Sequence, residues 1–149
     1  MNEFEIDKNT IVIYTADHGD YACEHGIMEK APGICSDAIT RIPYIWYCPG
    51  HFKEGHEVKE IVESVDLFPT LCSLVGLDIP ETVDGKDISH FLYGQKGQVH
   101  RIGVTEFACS KSVRKGKYRL VFYPEVMFDE KYPDGFGELY DLRADPWEM

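Results

Sequence analysis

The stretch Thr10-Ile11-Val12-Ile13-Tyr14-Thr15-Ala16-Asp17-His18-Gly19 decides the fold, because an apolar run ends there in a carboxylate, an imidazole and a glycine. The β-branched residues 11–13 predict a strand that is covered on both faces. Open α/β sheets place their chemistry just beyond the carboxyl ends of such strands. Gly19 allows a sharp turn of the backbone at that point. The stretch therefore predicts a buried strand that carries Asp17 and His18 to a functional edge.

Asp17 and His18 are side chains of the types that bind divalent cations. A hard anionic oxygen beside a neutral ring nitrogen suits calcium, manganese or magnesium when further carboxylates complete the site. Aspartate and glycine are also ordinary turn residues, so the tripeptide by itself favours a turn with a solvated histidine over a metal site. Two ligands do not close a metal site, and the others must come from elsewhere in the fold.

A loop and a second strand follow. Residues 23–33 are rich in glycine and charge and lack periodicity, which is typical of a site-forming loop. Residues 42–48 form a second apolar run, closed by Pro49-Gly50, and this pattern predicts a strand followed by a turn.

A helix is predicted next, because apolar residues recur at helical spacing between residues 58 and 75. Ser64 or Asp66 is the expected N-cap, and Gly76 is a natural end. Asp66 is interpreted as a cap in preference to a catalytic acid. Residues 77–97 are rich in turn signals and predict a connector with one helical turn.

The last third of the chain predicts antiparallel β structure. Four short strands are expected, with a hairpin at Lys115-Gly116; they are residues 102–107, 111–113, 118–123 and 138–142. The basic residues Arg114, Lys115, Lys117 and Arg119 surround the turn. Anion binding is one interpretation of this cluster, and a solvated rim is the favoured one.

Several pieces of this sequence, in this order, resemble the C-terminal part of the sulfatase family in the alkaline-phosphatase-like superfamily. They are Thr15-Ala16-Asp17-His18-Gly19-Asp20, Glu24-His25-Gly26-Ile27-Met28-Glu29-Lys30, Arg41-Ile42-Pro43-Tyr44-Ile45, Val65-Asp66-Leu67-Phe68-Pro69-Thr70-Leu71 and the tail segments 112–120 and 138–142. The resemblance implies an α/β fold. Residues 1–97 would be the later strands and helices of a three-layer sandwich, and residues 98–149 a small antiparallel β subdomain.

The resemblance also implies roles for four residues. Asp17 and His18 would be two ligands of a divalent cation, usually Ca²⁺, with Mn²⁺ or Mg²⁺ as alternatives. Lys30 would bind the sulfate ester and act in catalysis as a point charge. His25 would lie in the substrate pocket, although its match is looser and a loop-stabilising or exposed position is the favoured alternative.

The sequence departs from the family at the nucleophile. Sulfatases attack with a formylglycine made from the Cys or Ser of a C/S-x-P-x-R motif, and no cysteine or serine here has that context. We expect the formylglycine and two further Asp ligands in a missing N-terminal part. The chain is thus expected to be an arylsulfatase-like fragment that is inactive alone. The alternatives are a phosphonate or phosphate monoester hydrolase of the same superfamily and a non-catalytic interaction domain.

The composition excludes some classes of binding partner. A net charge of −11, spread along the chain, argues against nucleic acid or an anionic membrane as a partner. No apolar run approaches the roughly 20 residues that span a bilayer.

Cys48 and Cys72 are expected in the core, whereas Cys23 and Cys35 are the candidates for reactivity. A parallel sheet cut partway would expose an edge and an apolar face, so we expect self-association.

Overall fold

The computed structural model describes residues 6–30, 34–124, 126–127 and 130–149. The chain forms two compact units, one comprising the chain up to Thr15 with Pro43–Arg101 and the other Ala16–Ile42 with Ile102–Met149. The division into domains at residue 97 stays a prediction. In chain order the helices and strands are β1 Val12–Thr15, α1 Asp37–Thr40, β2 Tyr44–Tyr47, α2 Leu67–Leu74, α3 Ser89–Leu92, β3 Gly103–Phe107, β4 Ser110–Lys115, β5 Tyr118–Phe122, β6 Val126–Met127, β7 Glu130–Lys131 and β8 Gly137–Asp141. Short 3-10 turns lie at Asp7–Asn9, Glu24–Gly26 and Ser64–Asp66.

In the first unit, β1 and β2 form a two-stranded antiparallel sheet in which Tyr14 pairs with Ile45. Both predicted strands are therefore confirmed, but the expected parallel sheet is wrong for this pair, because β1 and β2 run antiparallel. The prediction that β1 is covered on both faces is wrong, because Tyr14, Ile45 and Tyr47 are exposed. Side chains alternate across a strand, so Tyr44 and Trp46 face inward while their neighbours on β2 face solvent.

The predicted helix is α2, and it ends where the sequence indicates. Gly76 has a φ of +73°, the Leu77 N–H donates to the Cys72 carbonyl at 2.8 Å, and the Gly76 N–H donates to Ser73. These two bonds form a Schellman motif. The helix is shorter than the apolar pattern suggested, because residues 58–63 precede the 3-10 turn that leads into it. α3 supplies the expected helical turn of the connector.

The second unit is built on a four-stranded antiparallel sheet with the order β3-β4-β5-β8. Its four strands and the β4–β5 hairpin confirm the predicted β structure. One face carries a core of Cys35, Val121 and Tyr123, against which Phe107 and Tyr140 pack. The loop 123–137 contains the short pair β6–β7.

The burial of Arg119 contradicts the prediction that the basic residues of this hairpin form a solvated rim. Its side chain is 3% exposed, whereas Arg114 and Lys117 at the same hairpin are each 38% exposed. The cause is strand alternation, since Arg119 lies on the same covered face of β5 as Val121. A charged residue at a hairpin is therefore buried because of its position in the sheet.

The cysteines follow the predictions in part. Cys48 and Cys72 are buried, as expected for core thiols. Cys35 is also buried, with its Sγ 3.2 Å from Ser110 Oγ, and burial raises the pKa of the Cys35 thiol. It is therefore a poor candidate for reactivity, whereas Cys23 is exposed. Among the helices that the structure describes, none is long and apolar enough to cross a bilayer.

Candidate functional site

Asp17, His18 and Gly19 lie in the second unit, just after the end of β1 in the sequence. The Gly19 N–H donates to the Ile39 carbonyl of α1 at 2.8 Å. A Cβ at position 19 would lie 1.9 Å from the carbonyl oxygen of Ala38. Only glycine allows this close approach, so the Asp-His-Gly turn is fixed against α1.

The polar atoms of Asp17 and His18 point toward the same region. Asp17 Oδ2 lies 3.7 Å from His18 Nε2, and Asp17 Oδ1 accepts the backbone N–H of His18 at 3.0 Å. This backbone hydrogen bond is the main cause that lowers the pKa of Asp17 below its usual range. The carboxylate is therefore ionised at neutral pH, and with 89% of its side chain exposed it is accessible to a ligand.

The imidazole of His18 is oriented by the residue that follows it. His18 Nδ1 lies 2.7 Å from the Gly19 carbonyl oxygen, to which it donates when Nδ1 carries the proton. The lone pair then resides on Nε2, the atom that approaches Asp17. Metal-binding histidines are oriented in the same way, with the distal ring N–H bound to a carbonyl or carboxylate.

Lys30 completes this group from the far end of the loop. Its Nζ lies 3.1 Å from His18 Nε2 and can donate a hydrogen bond to that lone pair. The structure thus brings together Asp17, His18 and Lys30, three of the four residues singled out in the sequence. One lone pair serves either the ammonium or a cation at a time, so a cation bound to His18 would leave Lys30 free to contact an anion.

The donors fit a divalent cation, as two ligands of a larger set. Asp17 Oδ2 is an oxygen ligand of the kind that calcium binds at about 2.3–2.6 Å, and it lies 3.7 Å from His18 Nε2, close enough for one ion to contact both atoms. The described part of the chain contains no group of three or more His, Cys, Asp or Glu side chains that could hold a metal. Asp17 and His18 therefore account for part of a coordination shell.

His25 lies against a different feature. Its ring packs edge-on against Tyr21 with the centroids 5.7 Å apart, and it lines a cavity of about 140 Å³ with Tyr21, Ser36, Tyr123 and Glu148. Its φ of 54° places it in the strained left-handed region. His25 is nevertheless exposed, in line with the favoured alternative for this residue, and its role in substrate binding stays a prediction.

Two polar clusters were missed by the sequence analysis. In the second unit, Arg119 binds Asp37 and Glu148. In the first, His100 Nε2 lies 2.9 Å from both oxygens of Asp66, which is fully buried. The only sequence signal for Arg119 was its alternation with Val121 on a strand. The His100 contact had none, because it joins residues 34 positions apart.

The family model that matches this chain is Sulfatase, over residues 2–77. The chain belongs to the sulfatase family. Members of this family generally use a divalent metal. Among curated sulfatases, a Delta 4,5-hexuronate-2-O-sulfatase of Bacteroides thetaiotaomicron is 32% identical over 145 residues, covering 95% of this chain and 30% of the relative. Arylsulfatase K of Canis lupus familiaris is 34% identical over 160 residues, covering 100% of this chain and 29% of the relative.

Solved structures agree with this assignment to the sulfatases. A structure described as a 2-O GAG sulfatase superposes with a TM-score of 0.78 at 31% identity, covering 95% of this chain and 31% of that one. The phosphonate monoester hydrolase of Agrobacterium radiobacter shares the fold, with a TM-score of 0.81 at 24% identity over 99% of this chain and 31% of that one. The fold is thus alkaline-phosphatase-like, and this sulfatase chain spans about 30% of the length of the curated relatives it matches.

Proposed function

We propose that the complete protein hydrolyses sulfate esters, with Asp17 and His18 as two ligands of its divalent cation and Lys30 as a sulfate-binding catalytic residue. The observation that carries this proposal is the convergence of the three side chains on His18 Nε2, which lies 3.7 Å from Asp17 Oδ2 and 3.1 Å from Lys30 Nζ. A carboxylate, an imidazole and an ammonium in one group suit a cation together with an anionic substrate.

Each side chain would contribute through its charge. Asp17 offers a negatively charged carboxylate oxygen to the cation, and His18 offers the lone pair of Nε2. Lys30 offers a positive charge that can neutralise sulfate oxygens in both the ground and transition states. A divalent cation, when bound, would supply Lewis-acid polarisation of oxygen atoms at the reacting centre. We propose calcium as the first candidate for the cation. Manganese and magnesium are the alternatives, because the carboxylate oxygen of Asp17 also suits those two ions.

We further propose that the 149-residue chain is inactive alone. It contains no C/S-x-P-x-R motif and spans about 30% of its relatives' length. A formylglycine nucleophile would belong to another part of the complete protein. His25 is proposed as a pocket residue of that complete site.

The test compares the complete protein with the 149-residue chain, using an aryl sulfate with Ca²⁺ or Mn²⁺ present. Lys30→Ala in the complete protein should lower kcat/KM by about 10²–10³, the loss expected for one charge that stabilises the transition state. Lys96→Ala, at an exposed position, is the matched control and should change kcat/KM less than twofold. Turnover by the isolated chain above its own Lys30→Ala variant would contradict the proposed inactivity.

The cation ligands are tested separately by calorimetric titration of the complete protein with Ca²⁺ and with Mn²⁺. Asp17→Asn and His18→Gln should each weaken binding by at least tenfold. Asp84→Asn, at another exposed carboxylate, should not. Unchanged affinity in both ligand variants would overturn the assignment of Asp17 and His18.

Hydrolysis of phosphonate or phosphate monoesters is the second candidate, because the fold is shared with a phosphonate monoester hydrolase. Asp17, His18 and Lys30 would serve either tetrahedral anion. A kcat/KM for an aryl phosphonate above that for the matched aryl sulfate would favour this candidate. No turnover of either ester by the complete protein would favour a non-catalytic interaction domain.

A further inference from the structure

The guanidinium of Arg119 is buried inside the second unit. Nη1 donates to the Cys35 carbonyl at 2.6 Å and to Thr40 Oγ1 at 2.8 Å. Nη2 forms an ion pair with Asp37 Oδ1, and Nε lies 2.9 Å from Glu148 Oε1. A buried arginine with this many directed contacts fixes the positions of the groups it binds.

Arg119 binds side chains at both ends of α1. Asp37 is the first residue of this helix and Thr40 is the last. Glu148 adds a bond at the N-terminal end, where its Oε2 accepts the Asp37 N–H at 2.6 Å. A single helical turn is not stable by itself, so its position depends on these tertiary contacts.

Helix α1 then fixes the Asp-His-Gly turn that contains His18. The Ile39 carbonyl accepts the Gly19 N–H at 2.8 Å, and the Ala38 carbonyl blocks any side chain at position 19. The Gly19 carbonyl then accepts His18 Nδ1–H at 2.7 Å. A continuous series of hydrogen bonds and one close backbone contact therefore joins the guanidinium to the imidazole.

We propose that Arg119 is a positioning residue for His18, acting through α1 and Gly19 to keep the ring proton on Nδ1 and the lone pair of Nε2 available. The link to cation binding rests on the proposed function. The link to the ring tautomer does not, since it concerns only contacts within this chain. Arg119 lies on β5 of the antiparallel sheet, so this sheet would contribute to the site without touching the substrate.

The test uses ¹⁵N NMR of the histidine rings in the 149-residue chain at mildly alkaline pH, with His18 assigned by comparison with His18→Gln. The wild type should show the Nδ1–H tautomer at His18. Arg119→Gln should shift His18 toward a mixture of both tautomers. In the complete protein, Arg119→Gln should also weaken Mn²⁺ binding by about tenfold, the size of effect typical for residues that orient a metal ligand. Arg143→Gln, at an exposed arginine, is the matched control and should leave both properties unchanged.

Two milder variants cover the case in which Arg119→Gln does not fold. Thr40→Val removes one contact of the guanidinium, and Arg119→Lys keeps its charge but loses the fork of donors. Each should shift the His18 tautomer in the same direction by a smaller amount. A wild-type His18 spectrum in every folded variant would overturn the proposal. A tautomer shift, when the complete wild-type protein binds no Mn²⁺, would instead overturn the proposed cation site and leave the positioning role standing.

Discussion

At the scale of single residues, β2 buries two hydrogen-bond donors without a partner among the described residues. These are the Tyr44 hydroxyl and the Trp46 indole N–H. The two rings contact each other edge-on, with centroids 5.6 Å apart. A buried polar group without a partner costs about 1–3 kcal/mol. Burial, and secondarily the negative charge of Asp66, raises the pKa of Tyr44 to about 12.

Tyr44→Phe should therefore stabilise the protein by about 1 kcal/mol, because it removes the unpaired hydroxyl and keeps the ring. Urea unfolding at neutral pH measures this change. Tyr14→Phe, at an exposed position in the same sheet, is the control and should be neutral. A loss of stability in Tyr44→Phe would show that the hydroxyl has a partner.

The same residue makes stability depend on alkaline pH. The unfolded Tyr44 loses its proton near pH 10, whereas the folded one keeps it up to about 12. The folded state thus binds more protons in this window, and stability falls as the pH rises through it. Urea unfolding at pH 8 and pH 11 should show a smaller loss for Tyr44→Phe than for the wild type. Equal losses would contradict this assignment.

At the scale of elements, Asp66 joins the start of α2 to two distant segments. Its carboxylate accepts the backbone N–H of Glu63 at 2.9 Å and that of Lys86 at 2.8 Å. It also binds His100 Nε2, while Glu63 Oε2 lies 3.6 Å from the other ring nitrogen. The prediction that Ser64 or Asp66 is the side-chain N-cap is wrong, because Glu63 is the N-cap of the 3-10 turn and Asp66 is the N3 residue of its capping box. The structure adds the two long-range partners of Asp66.

Asp66→Asn should destabilise the protein by about 2–4 kcal/mol, since it leaves buried donors without the charge that they bind. Denaturant unfolding measures the change. Asp84→Asn, at an exposed carboxylate, should stay within about 0.5 kcal/mol of the wild type. Equal free energies of unfolding for Asp66→Asn and Asp84→Asn would contradict this structural role of Asp66.

At the scale of the whole molecule, the outer face of the four-stranded sheet carries a row of exposed apolar side chains. Val104, Val113, Leu120 and Leu139 pair in one row across all four strands, with exposed fractions between 37% and 69%. Charges of both signs border this row, including the Glu106–Lys111 ion pair at 2.7 Å. Contiguous exposed apolar surface of this kind is typical of an interface.

We propose that a second copy of this chain covers the row when the 149 residues are isolated. A two-fold axis parallel to the strands would place Val104 opposite Leu139 of the other copy and Val113 opposite Leu120, so that apolar groups meet.

Sedimentation velocity should therefore show a concentration-dependent dimer of the 149-residue chain. Leu120→Lys should shift the equilibrium toward monomer by at least tenfold, because it introduces a charge into the row. Leu77→Lys, at an exposed leucine of the first unit, should not. A monomer at every concentration would refute self-association, and equal weakening by both variants would refute this face as the interface.

The sequence by itself determined the six longer strands, the C-terminal end of α2, the sulfatase family and the presence of Asp17, His18 and Lys30 in one loop region, whereas the short pair β6–β7 was not predicted. These features depend on local periodicity, turn chemistry and motif order, which are readable along the chain. Gly76 illustrates this, because the end of a helix needs only a residue that accepts a positive φ.

Only the tertiary structure decided which face of each strand is covered and which charges are buried. Arg119 binds Asp37 over 82 positions, and Asp66 binds His100 over 34. α1 is one turn long and has no pattern of its own, so distant partners fix its place. Such contacts depend on how the sheet pairs and which segment packs on it, and neither is encoded by neighbouring residues.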